Sequence, residues 1–172
     1  TIYKSPNYPR AVNLRKSDML LDRGIGGFYV SPKVDGERVT LVINNFGIFV
    51  QKYNRKVDCL YRGSSDNNKR GNKFSKNKDS PRGKSDTIIE AELYKNKLFC
   101  FDASVIRGRS KTNEQYTARR EALLDYVYQA KSHFEKNTGH KLEVKVALPL
   151  PLNETSTDNF FGTIEKCLKL DY

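Results

Sequence analysis

Apolar and polar positions along the chain separate a few regular segments from a polar middle. Phe28-Tyr29-Val30 is a run of strand type that leads into a turn at Lys33. From Arg38 to Ile43 the residues are mostly β-branched and apolar, and Ile48-Phe49-Val50 repeats the pattern. Between them Asn44-Asn45-Phe46-Gly47 has turn chemistry, so an antiparallel hairpin is predicted directly after Gly36. Thr87-Ile88-Ile89 opens another strand, with Glu90 and Glu92 following. Leu98-Phe99-Cys100-Phe101 returns across a Lys95-Asn96-Lys97 turn and is predicted to end at Asp102.

Helical spacing appears later. Leu123, Val127, Ala130 and Phe134 recur at three and four residues, with Leu124 and Tyr128 beside them. They predict a helix from Glu114 to Phe134, with Thr112 and Gln115 at capping-box spacing. Leu142 to Leu148 alternates and reads as one strand. Asn159 to Leu168 reads as a last amphipathic helix capped by Thr157 or Asp158. A short helix, Asp18 to Arg23, is capped by Ser17 and closed by Gly24. The sum is one α+β domain over residues 1–172, built of hairpins and few helices.

Residues 62–86 break the pattern. They hold eight basic residues (Arg62, Lys69, Arg70, Lys73, Lys76, Lys78, Arg82, Lys84) against Asp66, Asp79 and Asp86. Phe74 is the one large apolar side chain, too little burial to offset ordering entropy. The expectation is a mobile basic loop, either touching nucleic acid phosphates or simply solvated.

Composition adds a partner class. At 172 residues, 37% hydrophobic and 30% charged, the chain suits one domain with substantial polar loop. Its net charge of +11 favours a polyanionic partner, nucleic acid first. Cys59, Cys100 and Cys167 lie far apart and away from His133 and His140. That argues against zinc and disulfide frameworks and for a reducing compartment. No apolar run has the length of a membrane span and no signal peptide is visible, so neither membrane nor secretion is expected. The chain opens at Thr1 without a methionine, which reads as an excised fragment.

The chemistry centres on Lys33-Val34-Asp35-Gly36-Glu37-Arg38. Its four fixed residues, Lys-x-Asp-Gly-x-Arg, arise by chance in about one chain in 500 of this length. A lysine is nucleophilic only when neutral, a state held by about one free lysine in a thousand at physiological pH. Desolvation and nearby cations raise that fraction, and Arg38 or a metal on a bound triphosphate would supply the charge. Asp35 opposes the shift, so it is read as a positioning group rather than a base. Gly36 permits a tight turn or a close approach to ligand. The plain alternative is a surface turn with incidental charges. Downstream lie Asn54-Arg55, then Glu92 on an apolar strand, then Phe101-Asp102, where Phe101 offers a face to a base. Taken singly, Arg55 reads as a surface charge, Glu92 as a solvent-facing strand residue and Phe101 as core.

Taken together, these segments resemble the covalent nucleotidyltransferase superfamily of mRNA capping guanylyltransferases and ATP-dependent DNA and RNA ligases. Lys33 to Arg38 looks like its motif I. Ile89-Glu90-Ala91-Glu92-Leu93 resembles motif III, with Glu90-Ala91 in place of Asp-Gly. Leu98 to Asp102 looks like motif IIIa, and Arg119/Arg120 to Leu123/Leu124 resembles the Arg-x-x-x-Leu helix that follows. The resemblance implies an antiparallel-sheet, ATP-grasp-like nucleotidyltransferase domain. It implies Lys33 as the nucleophile, Arg38 on the sugar, Glu92 accepting from a ribose hydroxyl, Phe101 stacking on the base, and Arg55 near the sugar or acceptor end. Asp35, Gly36 and Asp102 would support them. Mg2+ or Mn2+ would be held mainly by the triphosphate, with no protein metal site.

Tyr8 to Leu14, Met19-Leu20-Leu21 and Gly47 to Val50 before Asn54-Arg55 resemble capping enzymes, as does Ser31 where ligases carry Glu. Asp35-Gly36-Glu37-Arg38 is common in ligases and also occurs in capping enzymes of large DNA viruses. The expected partners are thus GTP and the 5′ end of RNA, with other capping or transcription subunits. The expected location is the cytoplasm, including a viral factory or virion, or the nucleus. Motif IV, motif V and an OB-fold are not found, and Lys141 and Lys145 are too widely spaced for motif V, so the domain reads as truncated. A ligase adenylation domain and a non-catalytic basic nucleic-acid-binding module remain as alternatives.

Overall fold

A computed structural model of the protein describes residues 29–63 and 86–149, with 162, 163, 165–167 and 169 near the C-terminus. The helix expected over Asp18 to Arg23 and nearly all of the basic loop lie outside the described residues. So does the start of the last helix, of which 162, 163 and 165–167 are helical. The described residues fall into two compact units. One comprises Asp35 to Lys145; the other includes 29–34 and the chain from Val146 onward.

The first unit is mixed α+β, with a sheet dominated by antiparallel pairs. Its strands are β2 (Glu37–Asn44), β3 (Gly47–Lys52), β4 (Val57–Arg62), β5 (Thr87–Tyr94), β6 (Lys97–Ile106), β7 (Arg109–Ser110) and β8 (Lys141–Val144). They run in the order β4-β3-β2-β5-β6-β7, and β8 lies parallel to the first half of β6. The predicted hairpin forms as β2 and β3, where Asn44 Oδ1 accepts from the Phe46 and Gly47 amides. Gly47 is required there: its φ is +153° and an added Cβ would stand 2.1 Å from the Tyr61 carbonyl oxygen. The strand β4 behind it was not anticipated. In the second unit, β1 (Tyr29–Val30) pairs antiparallel with β9 (Leu148–Pro149).

Alternating strand residues and one helix make the core. Val39, Leu41, Ile43, Ile89 and Ala91 pack with Leu123, Tyr126, Val127, Ala130 and Phe134 of α1 (Tyr116–Thr138). Each large apolar side chain so buried contributes about 1.5–3 kcal/mol. Leu124 and Tyr128, beside the apolar stripe, are exposed at 44% and 76%. They sit about 100° and 140° around the helix from Leu123, beyond the face that meets the sheet. Tyr126 fills that face instead. Burial raises its hydroxyl to about 12, tempered by a hydrogen bond with Thr87 and the charge of Arg107. Burial also pushes up the Cys100 thiol.

Four boundaries differ from expectation. The helix starts at Tyr116 with Gln115 as N-cap and no side-chain cap bond; Thr112 Oγ1 is 3.0 Å from Ser110 Oγ instead. At the other end α1 runs past Phe134 to Thr138, closed by Gly139 at φ +71° with its amide on the Glu135 carbonyl. The strand expected over Leu142 to Leu148 is broken: β8 stops at Val144, and the Lys145 amide makes the last bond of its parallel ladder, to the Cys100 carbonyl at 2.7 Å. Finally, β6 continues past Asp102 to Ile106, paired with β5 as far as Ile88↔Val105. Among the described residues no helix is long and apolar enough to cross a membrane.

Candidate functional site

One face of the sheet gathers the polar positions that the core does not use. Along β2 the residues Val39, Leu41 and Ile43 enter the core, so Arg38 and Thr40 point the other way. Register then sets Arg38 opposite Glu92 and Thr40 opposite Glu90 on β5. The two glutamates, two residues apart, therefore share that face.

Phe101 reaches it by irregular pairing. Glu90 pairs with Asp102 and Ala91 with Cys100, which leaves Phe101 as the extra residue of a bulge in β6. Its ring centroid is 5.5 Å from the Arg38 guanidinium carbon. Three residues from three separate stretches of sequence, Arg38, Glu92 and Phe101, are thus brought together.

Each carboxylate has its own cation. Glu92 Oε2 accepts from Lys145 Nζ at 2.8 Å, with the two side chains 22% and 13% exposed. Glu92 Oε1 makes no hydrogen bond among the described residues. Glu90 is almost fully buried; Thr40 donates to its Oε1 at 3.2 Å, and Arg38 Nη2 lies 3.6 Å from its Oε2. Lys145 was missed as a partner of Glu92. It stands just beyond β8, which the parallel pairing with β6 sets beside Phe99 and Cys100. Its carbonyl accepts from Arg120 at 3.0 Å. A partner 53 residues away leaves no local pattern.

The other expected site residues are placed differently. Asp102 holds the helix: its Oδ1 and Oδ2 accept from Arg119 Nε and Nη2 at 2.8 and 2.9 Å, and Oδ1 also accepts from the Ala103 amide. Arg119 further donates to the Glu114 carbonyl, and Leu123, four residues on, is fully buried. Gly36 serves a close backbone approach, since an added Cβ would be 2.7 Å from the Leu93 carbonyl oxygen. Arg55 occupies the turn between β3 and β4 at φ +65° and is exposed; it makes no hydrogen bond or ion pair with Arg38, Glu92 or Phe101. At the same end, the hydrogen bond and charge of Glu37, then Asp58, hold Lys52 above its usual lysine value.

Lys33 and Asp35 are both exposed in the irregular stretch between β1 and β2. The boundary between the two units falls between Val34 and Asp35, so Lys33 belongs to one unit and Arg38, Glu92 and Phe101 to the other. Among the described residues no group of three or more His, Cys, Asp or Glu side chains could hold a metal ion. Compared with known proteins, the chain matches no family model and no curated protein. Any functional reading therefore stands on these residues and their arrangement.

Proposed function

We propose that the chain is part of an antiparallel-sheet, ATP-grasp-like nucleotidyltransferase domain. In this reading the protein is an mRNA capping guanylyltransferase that moves GMP from GTP to the diphosphate 5′ end of RNA through a lysyl-GMP intermediate. One observation carries the reading: Arg38, Glu92 and Phe101 meet on one sheet face, with Arg38 opposite Glu92 in register and its guanidinium beside the Phe101 ring. The three supply what a nucleoside needs. Phe101 offers a π face to the base. Glu92 Oε1 can accept from a ribose hydroxyl, and Arg38, half exposed, can donate to sugar or phosphate oxygens. A base on Phe101 would have its sugar beside Arg38.

Neutral Lys33 Nζ attacks the α-phosphorus, forming a P–N bond as the bond to pyrophosphate breaks. A terminal oxygen of the RNA diphosphate then attacks the same phosphorus, and lysine leaves. The two carboxylates of the face are each held by a cation already, which suits a metal carried by the triphosphate rather than one seated in protein. When bound there, Mg2+ or Mn2+ offsets phosphate charge.

The test is label transfer to the full-length protein from GTP or ATP labelled at the α-phosphate. Covalent label from GTP, lost in Lys33→Ala, is the expected result. Label from ATP alone would move the protein to the ligases. No label from either nucleotide, with RNA binding that falls steeply with salt, would leave a basic binding module.

A further inference from the structure

We propose that Glu90 is a positioning residue, which holds the Arg38 guanidinium beside Phe101 from the buried side of the sheet face. The inference rests on the nucleotidyltransferase reading and deepens it. Glu90 is 1% exposed, and a carboxylate is not left there without partners that offset its desolvation. Thr40, directly across the ladder, donates to one oxygen, and Arg38 approaches the other at 3.6 Å.

The choice of partner is informative. Arg38 stands directly opposite Glu92, yet its Nη2 lies 3.6 Å from the diagonal carboxylate, Glu90. Lys145 explains this, because it already holds Glu92 at 2.8 Å. Lys145 takes one carboxylate of β5 and Arg38 approaches the other, a division that sends Arg38 inward. One side of the guanidinium then faces a fixed, buried charge while the side chain remains 53% exposed to solvent. A long, flexible side chain is thereby held ready for the sugar before a nucleotide arrives. The division also leaves Glu92 Oε1 without a competing donor from Arg38.

Glu90→Gln keeps the shape and the acceptor for Thr40 but removes the charge. In the full-length protein it is expected to raise the KM for GTP in lysyl-nucleotide formation about tenfold with little change in kcat. Glu90→Asp should recover part of that loss. On an Arg38→Ala background, Glu90→Gln should cost nothing further, since the group it positions is gone. A purely structural Glu90 would behave otherwise: it would lower the melting temperature and the active fraction, leave KM unchanged and add to Arg38→Ala. That outcome would overturn the proposal and leave the nucleotidyltransferase reading intact. If the wild-type protein forms no adduct with either nucleotide, both fall together.

Discussion

Lys145 Nζ donates to Glu92 Oε2 across 2.8 Å and 53 residues of chain, joining the outer end of β8 to a central strand. Removing the ammonium strands a part-buried carboxylate. Lys145→Met is expected to destabilise the first unit by about 1–2 kcal/mol, read as a lower urea midpoint. In the proposed reaction it also frees the Glu92 rotamer, so KM for GTP should rise. An unchanged midpoint would show the bridge to be incidental.

Asp102 and Arg119 form a two-pronged contact that ties β6 to the first turn of α1. Both side chains are largely buried, at 10% and 18% exposed. Arg119→Ala should cost about 2–4 kcal/mol in chemical denaturation. Arg119→Lys should recover less than half, because an ammonium cannot match both carboxylate oxygens.

Gly36 and Gly47 predict an ordered pair of effects. Alanine at position 36 would put its Cβ 2.7 Å from a backbone oxygen of β5, and alanine at position 47 would put it 2.1 Å from one of β4. Gly36→Ala should lose about 1–3 kcal/mol and Gly47→Ala more. Thermal melts of both variants check the order; a milder Gly47→Ala would contradict it.

Alkaline pH should unfold this chain through its core. Burial holds the Tyr126 hydroxyl at about 12 against an ordinary 10.0, and the Cys100 thiol above its ordinary 9.0. Both groups keep their protons more tightly folded than unfolded. Stability is therefore whole below about pH 9 and declines as pH rises toward about 12. Tyr126 alone accounts for on the order of 2–3 kcal/mol across that window. Urea midpoints at about pH 8 and about pH 11 should differ, and Tyr126→Phe should reduce the difference while leaving the share of Cys100. A midpoint independent of pH would refute the assignment.

The hairpin, β5 and the helix were legible because their signals are local. Alternation in Arg38 to Ile43, turn residues at Asn44 to Gly47 and helical spacing from Leu123 to Phe134 each report on a single element. What escaped depends on distant partners. Strand β4, Val-Asp-Cys-Leu-Tyr-Arg, mixes polar and apolar residues; among the described strands it pairs with β3 alone. The break after Val144 follows from where β6 stops offering a parallel ladder, which alternation over Leu142 to Leu148 cannot sense.

The site divides the same way. Residue types and order singled out Arg38, Glu92 and Phe101, and the sheet brings them together. Asp102 was read as a supporting group of the site, and the contact it makes is with Arg119 of the helix. Lys145 and the Arg38–Glu90 contact could be seen only once strand register was known.

Phe101 is superfluous to the ladder that contains it. Without it, Asp102 would follow Cys100 and meet Glu90 as Cys100 meets Ala91, in unbroken sequence. A chain shortened by that one residue should still close its sheet, with a circular dichroism spectrum like the parent's and no aromatic surface beside Arg38. In the proposed reading, folding and nucleotide recognition can be separated here by a three-base deletion. A sheet selected for regularity alone would have no use for the insertion.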